Sequence, residues 1–115
     1  MNDIYELVSN AKSTVWLNPG TYIIDKPLTP NPNIQTFIMY AIGATLIVKS
    51  DYMFNYNGWR LGIVGGIIKP LSSSQLVNGQ STIAYFDKTQ IGNVGTFLAN
   101  VEDITNFPRI IPIEM

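Results

Sequence analysis

Apolar residues near the start of the chain follow a helical period. Within residues 2–12 they recur at i, i+3, i+4 and i+7, which is one face of a helix, and they are Ile4, Leu7, Val8 and Ala11. Asp3 followed by Glu6 resembles a capping box, with Asp in the place of the usual Ser or Thr. A helix of about ten residues is marginal alone in water. We therefore predict a helix over 2–12 whose apolar face packs on the rest of the chain.

From Thr14 onward the pattern changes to short β-rich apolar runs that are broken by Gly, Pro and Asn. The segment 18–20 (Asn-Pro-Gly) is a strong turn signal, since Pro presets one backbone angle and Gly is free to adopt positive φ. The predicted strands lie in residues 14–17, 21–24, 34–42, 44–48, 52–56, 59–64, 67–68, 81–86, 95–98 and 101–104. Residues 70–75 are the most loop-like stretch.

The apolar runs are nearly continuous, as is typical of strands covered on both faces, and no long helical segments separate them. A coil of stacked short strands explains both features, because each strand then buries its face on the next. We predict a mainly β, single domain over 1–115, with a capping helix at 2–12 and about four rungs within 14–104. The proline-spaced residues 105–115 are predicted to form an extended C-terminal arm.

Residues 2–68 resemble the start of the pectate-lyase-like, tailspike-type β-helix family. The resemblance consists of the amphipathic helix, the segment 19–22 (Pro-Gly-Thr-Tyr), the segment 43–46 (Gly-Ala-Thr-Leu) and the segment 65–68 (Gly-Gly-Ile-Ile). It implies a right-handed parallel β-helix and, as in viral spikes, a parallel homotrimer. The catalytic acids of that family's enzymes lie in later rungs, and their paired Asp-Asp, Gly-His-Gly and Arg-x-Lys signatures do not occur in this sequence.

The composition excludes several functions. Charged residues make up 13% of the chain, against about 25% in typical globular proteins, and the formal net charge is −1. Without a basic excess, nucleic acid is not expected as a partner. The sequence has neither Cys nor His, which excludes disulfides and catalysis by Ser-His-Asp or Cys-His groups. No apolar run approaches the roughly 20 residues of a transmembrane helix, so membrane insertion is not expected.

The charged residues suggest local pairing more than catalysis. Glu102 and Asp103 are adjacent, and neighbours on a strand point to opposite faces, so they do not face one substrate together. Asp25 and Asp51 would approach each other only if they lie on stacked rungs. Arg60 and Arg109 are each expected to pair with an acid or to bind a carboxylate. No catalytic site, metal site or cofactor is predicted.

Aromatic residues are the most informative candidates for binding. The sugar-binding hypothesis rests on a cluster in 52–59, because sugars stack on aromatic faces and Tyr and Trp add polar tips. Its members are Tyr52, Tyr56, Asn57 and Trp59. The wider aromatic group also contains Tyr40, Phe54 and Tyr85. Core packing or a subunit interface is the alternative role of these residues.

The first functional hypothesis is a non-enzymatic structural or host-attachment module of a virus or phage particle, with a possible glycan ligand. Its expected partners are two further copies of the chain, other virion proteins and a surface glycan. On this hypothesis we expect a virion or extracellular location. The N-terminus does not resemble a signal peptide, so the chain would be cytoplasmic before assembly and would leave the cell as part of a virion, although the same absence fits a cytoplasmic protein equally well. The alternatives are a carbohydrate-active lyase or hydrolase, or a fragment of one, and a small cytoplasmic β-helix scaffold.

Overall fold

The computed structural model describes residues 3–78 and the strands at 83–87 and 90–91. In this part of the chain one short helix precedes ten strands. The elements are α1 Ile4–Asn10, β1 Thr14–Trp16, β2 Gly20–Ile24, β3 Thr36–Tyr40, β4 Ala44–Val48, β5 Tyr52–Asn55, β6 Arg60–Val64, β7 Ile67–Pro70, β8 Gln75–Asn78, β9 Ile83–Asp87 and β10 Gln90–Ile91. The predicted arm 105–115, the acidic pair 102–103, Arg109 and the side chain of Tyr85 lie outside the described residues.

Helix α1 begins where the capping signal predicts and ends earlier than expected. The Asp3 Oδ1 accepts a hydrogen bond of 2.9 Å from the backbone N–H of Tyr5, which caps the first turn. Ile4 and Val8 are buried, one helical turn apart. The helix ends at Asn10, because Ala11 already has extended backbone angles. The predicted range 2–12 is therefore too long at its C-terminal end, where the chain turns toward β1.

The strands form three parallel sheets in the described part of the chain. Their orders are β1-β3-β6-β9, β2-β4-β7-β10 and β5-β8. Paired positions are separated by nearly constant distances in sequence: Thr14 pairs with Ile38, 24 positions later, and Thr45 pairs with Ile67, 22 positions later. Each strand therefore pairs with one that follows about two dozen residues later. The prediction of a mainly β chain with a short helix is confirmed.

The core collects the inward side chains of all three sheets and of α1 in one cluster. Successive side chains of a strand point to opposite faces, and one face contributes to this cluster. In β4, Ala44, Leu46 and Val48 are buried, while the residues between them are partly exposed. The largest buried side chains include Phe37 and Phe54, whose ring centroids lie 6.0 Å apart in an edge-to-face contact. The core thus depends on residues that are distant in sequence.

The loop-like stretch 70–75 contributes to this core. Ser74 is fully buried, and its hydroxyl donates to the backbone oxygen of Ser50 at 2.8 Å. Ser50 is also buried, and its own hydroxyl donates to the backbone oxygen of Tyr52. The two serines stack 24 positions apart and satisfy polar groups that burial would otherwise penalise. Strand β8 starts immediately afterwards, a strand that the serine-rich composition does not predict.

Candidate functional site

The aromatic cluster predicted for sugar binding does not form one exposed surface. Tyr56 is only 2% exposed, and its hydroxyl donates a hydrogen bond of 2.7 Å to the backbone oxygen of Ile34. A methyl group at Gly58 would overlap that hydroxyl, so the glycine is needed for this close approach. Tyr56 belongs to the core, as does Phe54, and neither can stack on a ligand. The assignment of Tyr56 to the sugar-binding surface is corrected on this ground.

The remaining members of the cluster differ in burial and in their position along the chain. Tyr52 starts β5 and is half-buried, whereas Asn57 and Trp59 are exposed in the connection to β6. Trp59 is 50% exposed, and the guanidinium carbon of Arg60 lies 4.9 Å from the centroid of its ring, a cation–π contact. Sugar binding by Tyr52, Asn57 and Trp59 stays a prediction, and Asn57 and Trp59 do not line the groove that Tyr52 lines.

Tyr52 lines a groove that we call the turn groove. Its volume is about 430 Å³, and it is lined by Asp25, Lys26, Pro27, Lys49, Ser50, Asp51, Tyr52, Asn55 and Asn78. These residues come from the ends of β2, β4 and β8 and from β5, so parallel pairing brings loops about two dozen residues apart into one surface. Asp25 and Asp51, which are expected to approach each other only on stacked rungs, both line this groove.

The amide side chains of the turn groove are ordered by contact with each other. The Nδ2 of Asn78 donates a hydrogen bond of 3.1 Å to the Oδ1 of Asn55, and the two residues are paired in the parallel register of β5 and β8. An amide has two donors and two acceptor lone pairs, so this single bond leaves hydrogen-bonding capacity on both side chains. The pair therefore offers fixed donors and acceptors to a polar ligand.

The helix is anchored beside the turn groove by Tyr5. The Tyr5 hydroxyl donates to the Oδ1 of Asp25 at 2.7 Å and accepts from the backbone N–H of Asp25 at 3.0 Å. The ammonium of Lys26 lies 4.8 Å from the centroid of the Tyr5 ring. Burial, and then the hydrogen bond to Asp25, raise the pKa of Tyr5 above its usual value. Asp25 is thus held in one position by the helix.

A different aromatic pair is exposed on the outside of the first sheet. Trp16 is 66% exposed, and its ring stacks on that of Tyr40 with 4.0 Å between centroids and 9° between planes. The two residues are partners in the parallel register of β1 and β3. The sequence indicates Tyr40 as one of several aromatic candidates for binding and does not predict a role for Trp16. The signal that would have found the pair is their separation of 24 residues.

Two further kinds of feature are absent from the described residues. Among residues 3–78, no group of three or more Asp or Glu side chains is arranged to hold a metal ion. The helix described here is too short to cross a bilayer. No family model, curated protein or solved structure matches the chain significantly. The resemblance to the pectate-lyase-like, tailspike-type family therefore stays a prediction.

Proposed function

We propose that this chain is a non-enzymatic structural or host-attachment module of a virus or phage particle, and that its turn groove binds a surface glycan. The observation that supports the proposal most is the composition of that groove. It combines two carboxylates, two ammonium groups, two amides and the ring of Tyr52. Its volume of about 430 Å³ falls within the range of roughly 300–1,000 Å³ that is usual for small-ligand sites.

Each group in the groove suits a polyhydroxylated ligand. Carboxylate and amide oxygens accept hydrogen bonds from sugar hydroxyls, and the amide and ammonium groups donate to sugar oxygens. Tyr52 supplies an apolar ring against which the C–H side of a sugar can pack. Because Lys26 and Lys49 balance Asp25 and Asp51 in charge, the groove tolerates neutral sugars and sugars that carry a single carboxylate.

The architecture that we propose for this module is a right-handed parallel β-helix of about four rungs, closed at its start by α1. The recurrent separation of 22 to 24 residues between strand partners supports it, since solenoid repeats fall between roughly 20 and 50 residues. Crossover connections between parallel strands of one sheet are almost always right-handed. A stack of this kind is a rigid support for a ligand surface.

We further propose that the module assembles as a homotrimer on the particle, exposed to the outside, together with other virion proteins. The outer face of β2, β4 and β7 supports self-association, because Ile23 is exposed and Ile47 and Ile67 are partly exposed there. Light scattering after size exclusion tests the assembly. A mass of three chains is expected, and a monomer at the highest soluble concentration would contradict it.

The glycan proposal is tested by screening the protein on an array of bacterial and eukaryotic surface oligosaccharides, followed by titration of the best binder. We expect Tyr52→Ala and Lys49→Ala to weaken binding at least about tenfold, which corresponds to 1.4 kcal/mol. Trp59→Ala is the matched control, since Trp59 does not line the groove. Binding that survives both groove substitutions, or no binding to any glycan, would contradict the proposal.

A second candidate function is cleavage of a polysaccharide. One observation favours it: Asp25 and Asp51 line the same groove, and pairs of carboxylates act as acid and base or nucleophile in glycoside hydrolysis. The test is release of new reducing or unsaturated sugar ends from the glycan identified above. Cleavage that Asp25→Asn and Asp51→Asn both abolish would establish the enzyme. Binding without cleavage would support the attachment module.

A further inference from the structure

A second cleft lies between α1 and β1, and we call it the cap cleft. Its volume is about 400 Å³. It is lined by the polar residues Asp3, Glu6 and Asn10 of the helix and its cap, by Trp16 of β1, and by further residues that include Leu7 and Val15. Glu6 and Asn10 are four residues apart on α1 and therefore on the same side of the helix. The turn groove shares none of these residues.

Trp16 is held in place by its neighbour. One face of its ring is covered by Tyr40, nearly parallel and 4.0 Å away between centroids. Trp16 lines the cap cleft, and Tyr40 is not among the described residues that line it. Among the described strands β1 is the edge strand of its sheet, so no described strand covers the face of the indole away from Tyr40. The ring is a fixed apolar platform that needs little ordering when a ligand binds.

We propose that the cap cleft is a sugar-binding site in which a pyranose ring stacks on Trp16 while its hydroxyl groups bond to Glu6, Asn10 and Asp3. A platform faced by carboxylate and amide groups matches the two sides of a sugar, which has apolar C–H faces and polar edges. This site is separate from the turn groove, and it does not depend on the function proposed for that groove.

The charges of the cap cleft select among sugars. Among the described residues that line it, both ionisable groups, Asp3 and Glu6, are acids, and none is Lys or Arg. A uronic or sialic acid would bring a third negative charge next to them, and like charges at close range repel. The site is therefore expected to take neutral sugars and amino sugars and to discriminate against acidic ones.

The test uses the full chain with the substitution Trp59→Phe, so that Trp16 is the remaining one of the two tryptophans. Tryptophan fluorescence is titrated with an N-acetylglucosamine oligomer, a glucosamine oligomer and an oligogalacturonate. We expect the first two to change the Trp16 emission at millimolar concentration or below and the third to bind at least about tenfold more weakly. The ammonium groups of the glucosamine oligomer should make it bind more tightly than the N-acetylglucosamine oligomer, and Glu6→Gln should reduce this difference in affinity several-fold.

Calorimetric titration of two further variants separates this site from others. Trp16→Ala should weaken binding at least about tenfold, and Leu71→Ala, at an exposed residue that lines neither the cap cleft nor the turn groove, should leave it unchanged. Equal losses in the two variants, or no loss in Trp16→Ala, would overturn the proposal. It would also be overturned if Trp59→Phe alone abolished binding, if no sugar bound, or if Trp16→Ala changed the mass of the assembly, because Trp16 would then contact a second copy.

Discussion

Two aromatic regions of this chain, residues 52–59 and the pair Trp16 and Tyr40, differ in whether their sequence predicts a shared surface and in whether the structure forms one. Residues 52–59 concentrate aromatic and amide side chains in one segment, yet Phe54 and Tyr56 are buried there and Trp59 does not line the groove that Tyr52 lines. Trp16 and Tyr40 are far apart in sequence, yet their rings stack on the outer surface. Proximity along a strand therefore does not predict a shared surface in this protein, whereas a separation of 24 residues does.

The position of each residue in the fold explains the difference. Residues 52–59 extend over β5 and the connection to β6, and their aromatic side chains are divided between the core, where Phe54 and Tyr56 lie, and positions with solvent access, where Tyr52 and Trp59 lie. In parallel pairing, partners in register point to the same face of the sheet and lie about 4.8 Å apart. Trp16 with Tyr40 and Asn55 with Asn78 are both partners of this kind. The candidate binding surfaces are thus assembled across strands.

The largest expected effect is a difference between the two regions in the free energy of unfolding that a substitution removes. Phe54→Ala should lower the free energy of unfolding by about 3–5 kcal/mol, because it leaves a cavity beside Phe37. Trp16→Ala removes an exposed ring and should cost about 0.5 kcal/mol, the lower end of the range for aromatic pairs. Urea unfolding of both variants measures the difference. Equal losses would contradict the assignment of Phe54 to the core and Trp16 to the surface.

A smaller effect distinguishes the two tyrosines of the predicted cluster. Tyr56→Phe removes the hydrogen bond to the backbone oxygen of Ile34 and leaves that buried acceptor without this donor, so we expect a loss of about 1–2 kcal/mol. Tyr52→Phe, in the half-buried position at the groove, is the matched control, with a change within about 0.5 kcal/mol. Denaturant unfolding at neutral pH is the measurement. A larger loss for Tyr52→Phe would mean that the two environments are reversed.

The smallest effect concerns Tyr5, which joins the helix to a loop 20 residues away. Tyr5→Phe should cost about 0.5–1 kcal/mol at neutral pH, because the bond to Asp25 is partly exposed. The raised pKa of Tyr5 means that above pH 10 the folded chain binds more protons than the unfolded chain, so stability falls as pH rises. Tyr56 contributes in the same direction, because burial raises its pKa.

The variant should therefore lose less stability than the wild type between neutral pH and the alkaline range above pH 10. Thermal or urea unfolding across that range gives the two slopes. Parallel slopes for the wild type and Tyr5→Phe would show that the hydroxyl is equally acidic in the folded and unfolded chains. The Tyr5–Asp25 contact would then contribute nothing to the alkaline response.

Local features of the fold follow from local signals. Asp3 predicts the cap of α1, because its carboxylate accepts a hydrogen bond from a backbone N–H of the first turn. Pro19 and Gly20 predict the bend before β2. Short apolar runs predict most of the strands in residues 14–70, although β3 is shorter than its run of 34–42. These elements depend on backbone preferences within a few residues, and a single sequence records such preferences.

The register between strands depends on contacts that a single sequence does not record. Ser74 lies in a serine-rich stretch typical of a loop, yet it is buried, and its hydroxyl donates a hydrogen bond to the backbone oxygen of Ser50. Neither the turn groove nor the cap cleft follows from composition, because their residues come from separate segments. A sequence period of about 24 residues predicts that Trp16 lies beside Tyr40 and that Asp25 lies near Asp51.

The central claim is that residues about 24 apart are neighbours in parallel register. The native chain has no cysteine, so the variant Ile23→Cys with Ile47→Cys tests one such pair directly on the outer face of β2 and β4. We expect an intramolecular disulfide on mild oxidation, detected by mass spectrometry of the monomer band. Thr21→Cys with Ile47→Cys is displaced by about 6.6 Å along the strand and should not form one. Cross-linking of the displaced pair in place of the registered pair would contradict the account.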